Sequence, residues 1–518
     1  MNGLYSAWIL NLLIFLPVIG MFAVLLSNEQ KAKYVALAFG ILEFAISIPL
    51  WALFRQQDAA FQFTASLPWI EPWGIFYRVG VDGIAVVLLL LTTFLMPLTI
   101  LGSFNYIQKK QRVFYAMLLL LHTGIIGVFC ALDLFMFFMF WEIMLVPMYF
   151  IIGVWGGERR IYAAIKFFLY TAAGSLLMLV GILYLYFRHR ELTGIPSFAY
   201  TDLLALPLTF REQFFLFGSF ALAFAIKVPV FPFHTWLPDA HVESPTPGSV
   251  VLAAVMLKLG AFGFLRFLLP YFPEAATHPT IATLAMVLGL CGIIYAAWVA
   301  AVQPDAKKLI AYTSVAHMGF VVLGIFALTM SGIQGAIIVM LSHGLSTGAM
   351  FLLLGMLYER RHTRRIEDFG GLAAVAPMFC AVFVLTAFAS IGLPGTSGFV
   401  GEFMALIGTF QTHPIAATLG ATGVIFAAYY MLPMVQKIWF NKLDRPENQK
   451  LTDLTPRELT VLVPLVIMMI FMGFFPKPFL DRTEVSVRQV LDRVEERRAA
   501  SRPDIGLLTP PAVEAGER

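Results

Sequence analysis

An all-α protein that crosses a membrane about fourteen times is predicted by three observations. Of 518 residues, 59% are hydrophobic and 13% charged, with a mean hydropathy of +0.82; an ordinary soluble domain carries about 25% charged residues. Apolar runs of about 20 residues, long enough to span a hydrocarbon core about 30 Å thick, recur along the whole chain. Two of those runs are broken by proline and glycine beside an ionisable residue.

The runs lie near 8–26, 34–54, 82–103, 113–131, 133–155, 162–187, 213–230, 246–269, 279–302, 307–327, 331–357, 372–411 (interrupted), 415–437 and 458–475. The first lacks a basic n-region and leads into SNEQKAK, without a small-residue cleavage site, so it is expected to stay as a helix. Connections after odd-numbered runs carry 18 Lys and Arg, against 5 after even-numbered runs. By the positive-inside rule this predicts odd connections in the cytoplasm and both termini outside. A tail of about 40 residues beyond the last run and ordinary charge usage point to a bacterial plasma (inner) membrane, with a mitochondrial inner membrane as the lesser alternative. Beyond Lys477 the chain turns polar, with TEVSVRQVLDRVEERR expected as a short surface helix and RPDIGLLTPPAVEAGER as loose.

The net charge of +4 forms no basic stripe, which argues against nucleic acid. Cys130, Cys291 and Cys380 stand alone in apolar runs and read as packing residues. His234, Asp239, His241 and Glu243, in FPFHTWLPDAHVES, follow no metal-ligand spacing. No metal site is expected.

Ionisable residues deep in apolar runs are costly and usually mark ion pathways. Glu142, in LDLFMFFMFWEIMLVPMYF, is nine residues beyond Asp133, about 14 Å along a helix and so near the midplane. Lys227 and Lys258 lie too deep to reach the interface easily, and His317 and His343 fall near the centres of their runs. The seventh run, FALAFAIKVPVFPFHTWLP, breaks at Pro229 and Pro232 just after Lys227; the twelfth, TAFASIGLPGTSGFVGEF, breaks at Pro394 before Glu402. Breaks at membrane depth free backbone groups that need a neighbouring helix or a wet cavity, and paired breaks point to an inverted-repeat transporter. His234 suits one end of a proton path. Lys166, six residues from Arg160, can instead snorkel to the surface, and a structural role fits it as well as a functional one. A lone mid-span histidine is commonly a packing residue; six deep ionisable residues in one chain argue for a path. A Glu142–Lys227 pair that opens and closes would act as a proton switch.

FWEIMLVPMYFIIGVWGGERRIYAAIKFFLYT, AIKVPVFPFHTWLPDAHVESPTPGSVVLAAVMLKLGAFG, DAKKLIAYTSVAHMGF, LSHGLSTGAMFL and GLPGTSGFVGEF closely resemble the antiporter-like subunits of respiratory complex I, and the M-type (mitochondrial subunit 4-like) subunit above all. The resemblance covers roughly residues 80–475. It implies three N-terminal helices in 1–112, a first five-helix repeat in 113–269, an inverted second repeat in 279–437, a loop and last helix in 438–476 and an external tail in 477–518. It implies one discontinuous helix per repeat, a coupling pair at Glu142 and Lys227, a central lysine at Lys258, central histidines at His317 and His343, and a terminal glutamate at Glu402 where the L-type and N-type sisters carry lysine. The implied function is proton translocation in the membrane arm of an NADH:quinone oxidoreductase. NADH, FMN, iron–sulfur clusters and quinone would be bound by other subunits, with none in this chain, and L-type and N-type subunits and lipid would be its partners. A subunit of a multisubunit sodium/proton antiporter shares this fold, but Glu402 argues against it; a spacer that moves no ions is the remaining reading.

Overall fold

The computed structural model describes residues 2–500. Three helices open the chain: α1 (Asn2–Leu26), α2 (Ala32–Leu53) and α3 (Gly83–Gly102). Between α2 and α3 stands an antiparallel hairpin, β1 (Gln62–Ile70) and β2 (Ile75–Val81), which the apolar pattern left as a plain connection. Gly74 turns it at φ +67°, and a Cβ there would lie 2.0 Å from the Pro196 carbonyl oxygen, so only glycine fits.

Next come α4 (Gln111–Cys130), α5 (Leu134–Trp155) and α6 (Arg160–Thr193). The helical ladder of α5 is interrupted at Met144. The cause lies three residues on: Pro147 has no N–H to offer the Ile143 carbonyl. The expected seventh run divides into α7 (Phe210–Lys227) and α8 (Trp236–Glu243), with Pro229 and Pro232 in the gap. Helix α9 (Thr246–Tyr271) contains two π-helical turns, Leu252–Met256 and Phe264–Leu268. The second half supplies α10 (Pro279–Ala301), α11 (Ala306–Phe326) and α12 (Met330–Arg361). The expected twelfth run divides into α13 (Pro377–Ile391) and α14 (Ser397–Thr412), followed by α15 (Pro414–Phe440), α16 (Pro456–Phe474) and α17 (Lys477–Ala500).

Twelve helices among the described residues are long and apolar enough to cross a membrane; the divided α7/α8 and α13/α14 segments are not among them. Starts of several helices are fixed by side-chain caps. Asp133 accepts from Phe135 N and Met136 N, Asp305 from Lys307 N and Lys308 N, and Thr209 and Thr455 each form a capping box with Glu212 and Glu458. Each such cap is worth on the order of 1 kcal/mol because it satisfies amides that have no partner within the helix.

Burial sorts the helices into a core and a jacket. Helices α9, α11 and α12 are almost entirely enclosed by protein, whereas α1, α2, α6, α10, α15 and α16 bury only about a third of their apolar stretch. Large apolar side chains such as Phe22, Leu169, Ile415 and Ile425 face outward from the jacket, as lipid contact requires. Polar groups on the core helices must find partners inside the protein.

The C-terminal segment departs from expectation. Helix α17 is 24 residues long and amphipathic, not a short surface helix: Thr483, Val487, Val490 and Val494 are buried as it packs on α3 and α12. Arg482 donates to the Trp51 carbonyl of α2 at 2.8 Å, Ser486 Oγ accepts from Gly83 N at 2.9 Å, and Arg493 donates to the Leu204 carbonyl at 2.6 Å. The RPDIGLLTPPAVEAGER stretch lies outside the described residues.

Candidate functional site: a row of buried ionisable residues

Helix α5 places Glu142 one residue before its interrupted bond, where a glutamate Oε1 lies buried with no hydrogen-bond partner. The Ser175 hydroxyl of α6 and the Lys227 ammonium are the polar groups that act on this carboxyl. Lys227 is the last residue of α7 and is 1% exposed. Its Nζ has no hydrogen-bond partner and sits 5.2 Å from the Trp141 ring centroid and 5.8 Å from that of Phe167. The expected pair is not closed: Glu142 Oε1 and Lys227 Nζ are both without a hydrogen-bond partner, and aromatic faces take the carboxylate's place around the ammonium. Cation–π contact of this kind contributes about 0.5–2 kcal/mol. The α7 end is braced by Trp236 Nε1, which donates to the Ile226 carbonyl at 2.9 Å.

Beyond the break, His234 is 3% exposed, packed among Phe231, Tyr295 and Tyr312 with Nδ1 unpartnered. The Lys166 side chain is 23% exposed. It binds Asp239 Oδ2 of α8 at 2.7 Å and the Thr235 carbonyl at 2.9 Å, tying α6 to the second half of the divided run.

The second cluster is hydrogen-bonded. Lys258 of α9 is fully buried; its Nζ donates to the Ala253 carbonyl at 2.6 Å and lies 2.7 Å from His343 Nδ1 of α12. Ala253 belongs to the first π-helical turn, whose altered register turns a carbonyl toward the lysine. The His343 and His317 rings are 5.6 Å apart, and His317 Nδ1 of α11 lies 2.9 Å from Glu402 Oε1 of α14. Ser390 Oγ is 3.3 Å from His317 Nε2, so both sides of the second break, the end of α13 and the start of α14, hold that imidazole. Gly392, at φ +84°, lets the chain turn beside Glu402: a Cβ there would sit 3.1 Å from Glu402 Oε2.

Lys258, His343, His317 and Glu402 are thus brought together, while Glu142 and Lys227 form a separate group. Residues outside the expected set also line the interior. His241 is 0% exposed, stacked at 4.7 Å on Phe351, with both ring nitrogens unpartnered. It was weighed only as a metal ligand. Lys307 Nζ donates to the Ser244 carbonyl at 2.5 Å beside a cavity of about 140 Å³ lined by Glu243, Arg364, Tyr106 and Tyr358. Arg266 binds Asp82 at 2.7 Å, and His122 meets Glu43 at 2.9 Å, both buried. An ionisable residue inside an apolar run was the available signal for Arg266, His122 and Glu43.

Two divided helices meeting a row of buried acids, lysines and histidines define a membrane transporter of antiporter-like architecture. The chain belongs to the NADH:quinone oxidoreductase/Mrp antiporter transmembrane family, whose profile matches residues 131–427. Residues 10–128 match the amino terminus of NADH-ubiquinone oxidoreductase chain 4. The chain is similar to NADH-quinone oxidoreductase subunit M of Rhodobacter capsulatus, 44% identical with 89% of this chain and 91% of that one covered. The subunit M proteins of Rickettsia conorii (41%, covering 93% and 98%) and Escherichia coli K12 (42%, covering 92% and 96%) are similarly related. A chain of the respiratory complex I structure from Thermus thermophilus superposes with a TM-score of 0.83 at 32% identity, covering 93% of this chain and 99% of that one. A chain of the Mrp complex from Dietzia shares the fold, with a TM-score of 0.80 at 16% identity over 95% and 99% of the two chains.

Proposed function

We infer that protons cross this subunit along Lys258, His343, His317 and Glu402, under control of the Glu142–Lys227 group. The chain is a membrane-arm, proton-translocating subunit of NADH:quinone oxidoreductase, as its subunit M relatives and its complex I neighbour support. The carrying observation is the pair of short contacts, Lys258–His343 at 2.7 Å and His317–Glu402 at 2.9 Å, on four different helices.

An ammonium at Lys258 donates to both the Ala253 carbonyl and His343; a neutral amine donates to the first and accepts from a protonated His343. Either proton placement keeps both bonds. Transfer onward to His317 needs a ring rotation or an intervening water across 5.6 Å, after which Nδ1 delivers the proton to Glu402. In the other group, a proton leaving Lys227 removes the charge that the Trp141 and Phe167 faces favour, and closure of Glu142 onto Lys227 favours it again. Opening and closing that pair switches the lysine. His234 and the Lys166–Asp239 bridge lie at the edge of this switch.

Counting each divided segment as one span gives fourteen, arranged as inverted five-helix repeats in 113–269 and 279–437 behind the N-terminal block of 1–112. Loop 438–476 with its helix, and the tail from 477, complete the division. In this reading the basic connections face the cytoplasm of a bacterium, both termini lie outside, L-type and N-type subunits flank the chain, and NADH, FMN, iron–sulfur clusters and quinone belong to other subunits. The test is NADH-driven acidification of inside-out vesicles carrying Lys258→Met, with assembly checked on a native gel. Loss of pumping in an assembled complex supports the path; normal pumping overturns it.

A further inference from the structure

Glu43 and His122 stand outside the row, in the N-terminal block. Each is eleven residues from the start of its helix, about 17 Å, which puts both at mid-depth. Glu43 Oε2 and His122 Nε2 are 2.9 Å apart and the residues are 1% and 3% exposed, yet neither Glu43 Oε1 nor His122 Nε2 is in hydrogen-bonding alignment with a partner, so a small ring rotation completes the bond along which a proton passes. Helix α4 separates this pair from Glu142: His122 faces α2, while Gly124 and Gly127 on the other face of α4 touch Ile143, Met144 and Phe140 of α5.

The pair is flanked by hydroxyls in both directions. One turn along α2, Ser47 Oγ meets Thr93 Oγ1 of α3 at 2.7 Å, and one turn further Arg482 of α17 donates to the Trp51 carbonyl. Glu43, Ser47 and Trp51 are four apart and so share one helix face. In the opposite direction, seven residues back on α4, the Tyr115 hydroxyl meets Ser103 Oγ at 2.9 Å. Other titratable and charged groups on these helices and the elements packed on them are Tyr5 of α1, Lys33 and Tyr34 of α2, Arg112, Tyr115 and Cys130 of α4, Tyr77 and Arg78 of the hairpin, Glu142 and Tyr149 of α5, and Lys258, Arg266 and Tyr271 of α9; α3 carries none.

We propose that Glu43 and His122 form a second proton-transfer station, separate from the Lys258–Glu402 path. With one proton between them the pair is neutral whether it is carboxylate–imidazolium or carboxylic acid–imidazole, the only arrangements a dry site tolerates cheaply. Imidazolium Nε2 gives its proton to carboxylate Oε2; the carboxylic acid then releases a proton toward the Ser47–Thr93 hydroxyls, and the imidazole takes one up from the Tyr115 side. Each passage moves one proton and restores the starting charge.

This rests on the reading that the subunit moves protons, so the experiment carries Lys258→Met alongside. The probe is the intact complex in inside-out vesicles, with acidification per NADH oxidised measured from about pH 6 to pH 8. The Glu43→Gln/His122→Asn double variant replaces the pair with neutral amides that can bond each other, and is expected to assemble, pump fewer protons per NADH and show a changed pH profile. The exchanged pair, Glu43→His/His122→Glu, is expected to restore both. Wild-type protons per NADH and pH profile in the assembled double variant overturn the proposal and leave a structural clamp. Failure of the double variant to assemble overturns it too, because a neutral pair would then be unable to supply what the fold needs. Normal pumping by Lys258→Met would instead sink the principal path.

Discussion

The two halves of the buried row hold their lysines in opposite ways. Lys227 ends a helix, faces aromatic rings and makes no hydrogen bond, while Lys258 sits within a helix and is bonded at 2.6 and 2.7 Å. A group with unmade bonds has other arrangements within reach; a group with all partners at short distance resists rearrangement. In the proposed mechanism this contrast suits the Glu142–Lys227 half to conformational switching and the Lys258–Glu402 half to proton conduction.

The contrast breaks most severely at Lys258. Lys258→Met should reduce NADH-driven acidification by a factor on the order of 10² in an assembled complex, the scale at which a positioned proton carrier contributes. Glu402→Gln should reduce it by about 10-fold, since an amide still bonds His317 but accepts no proton. Trp141→Leu removes one ring above Lys227 and about 0.5–2 kcal/mol of preference for the ammonium. It should move the pH profile of pumping while leaving the maximum rate within a few-fold; an unchanged profile would show the ring to be packing only. Ser390→Ala removes a 3.3 Å contact to His317 and should cost less than about 1 kcal/mol, a two- to fivefold loss at most in the same assay.

A smaller effect concerns the support of the switch half. Asp133, buried where it caps α5, is pushed up to about 6 by desolvation, against the pull of the amides of Met136, Phe76 and Phe135 and of Arg78. Because its folded value exceeds the unfolded one, its contribution is full below about pH 4 and is lost as pH rises through 6. Asp133→Asn keeps a cap acceptor and should flatten the pH dependence of thermal stability over pH 4–7, measured on the detergent-solubilised complex.

The ionisable row was legible because the bilayer makes each such residue conspicuous in an apolar run, and both divided helices were legible from their prolines. The same rule applied to Glu43 in ILEFAISIPL and His122 in LLLLHTGII, whose role was not read. What the residues did not disclose was who bonds whom. The Lys258–His343 contact depends on a π-helical turn with no local breaker, and the open Glu142–Lys227 group depends on where Trp141 and Phe167 project. The hairpin over 62–81 was missed because its strand register is irregular and its alternation weak. Helix α17 reads as polar, and its buried stripe of Val487, Val490 and Val494 becomes meaningful only against α3 and α12.

That last helix fixes the order in which the molecule can be finished. It fastens to Trp51 of α2, Gly83 at the head of α3 and Leu204 in the first half of the chain, all of which leave the ribosome hundreds of residues earlier. The N-terminal block therefore waits, inserted but unlatched, until α17 has been made. A ribosome that stalls before α17 would release a chain whose earlier helices have entered the lipid yet whose latch is missing, giving a membrane protease a physical mark by which to tell latched subunits from unlatched ones.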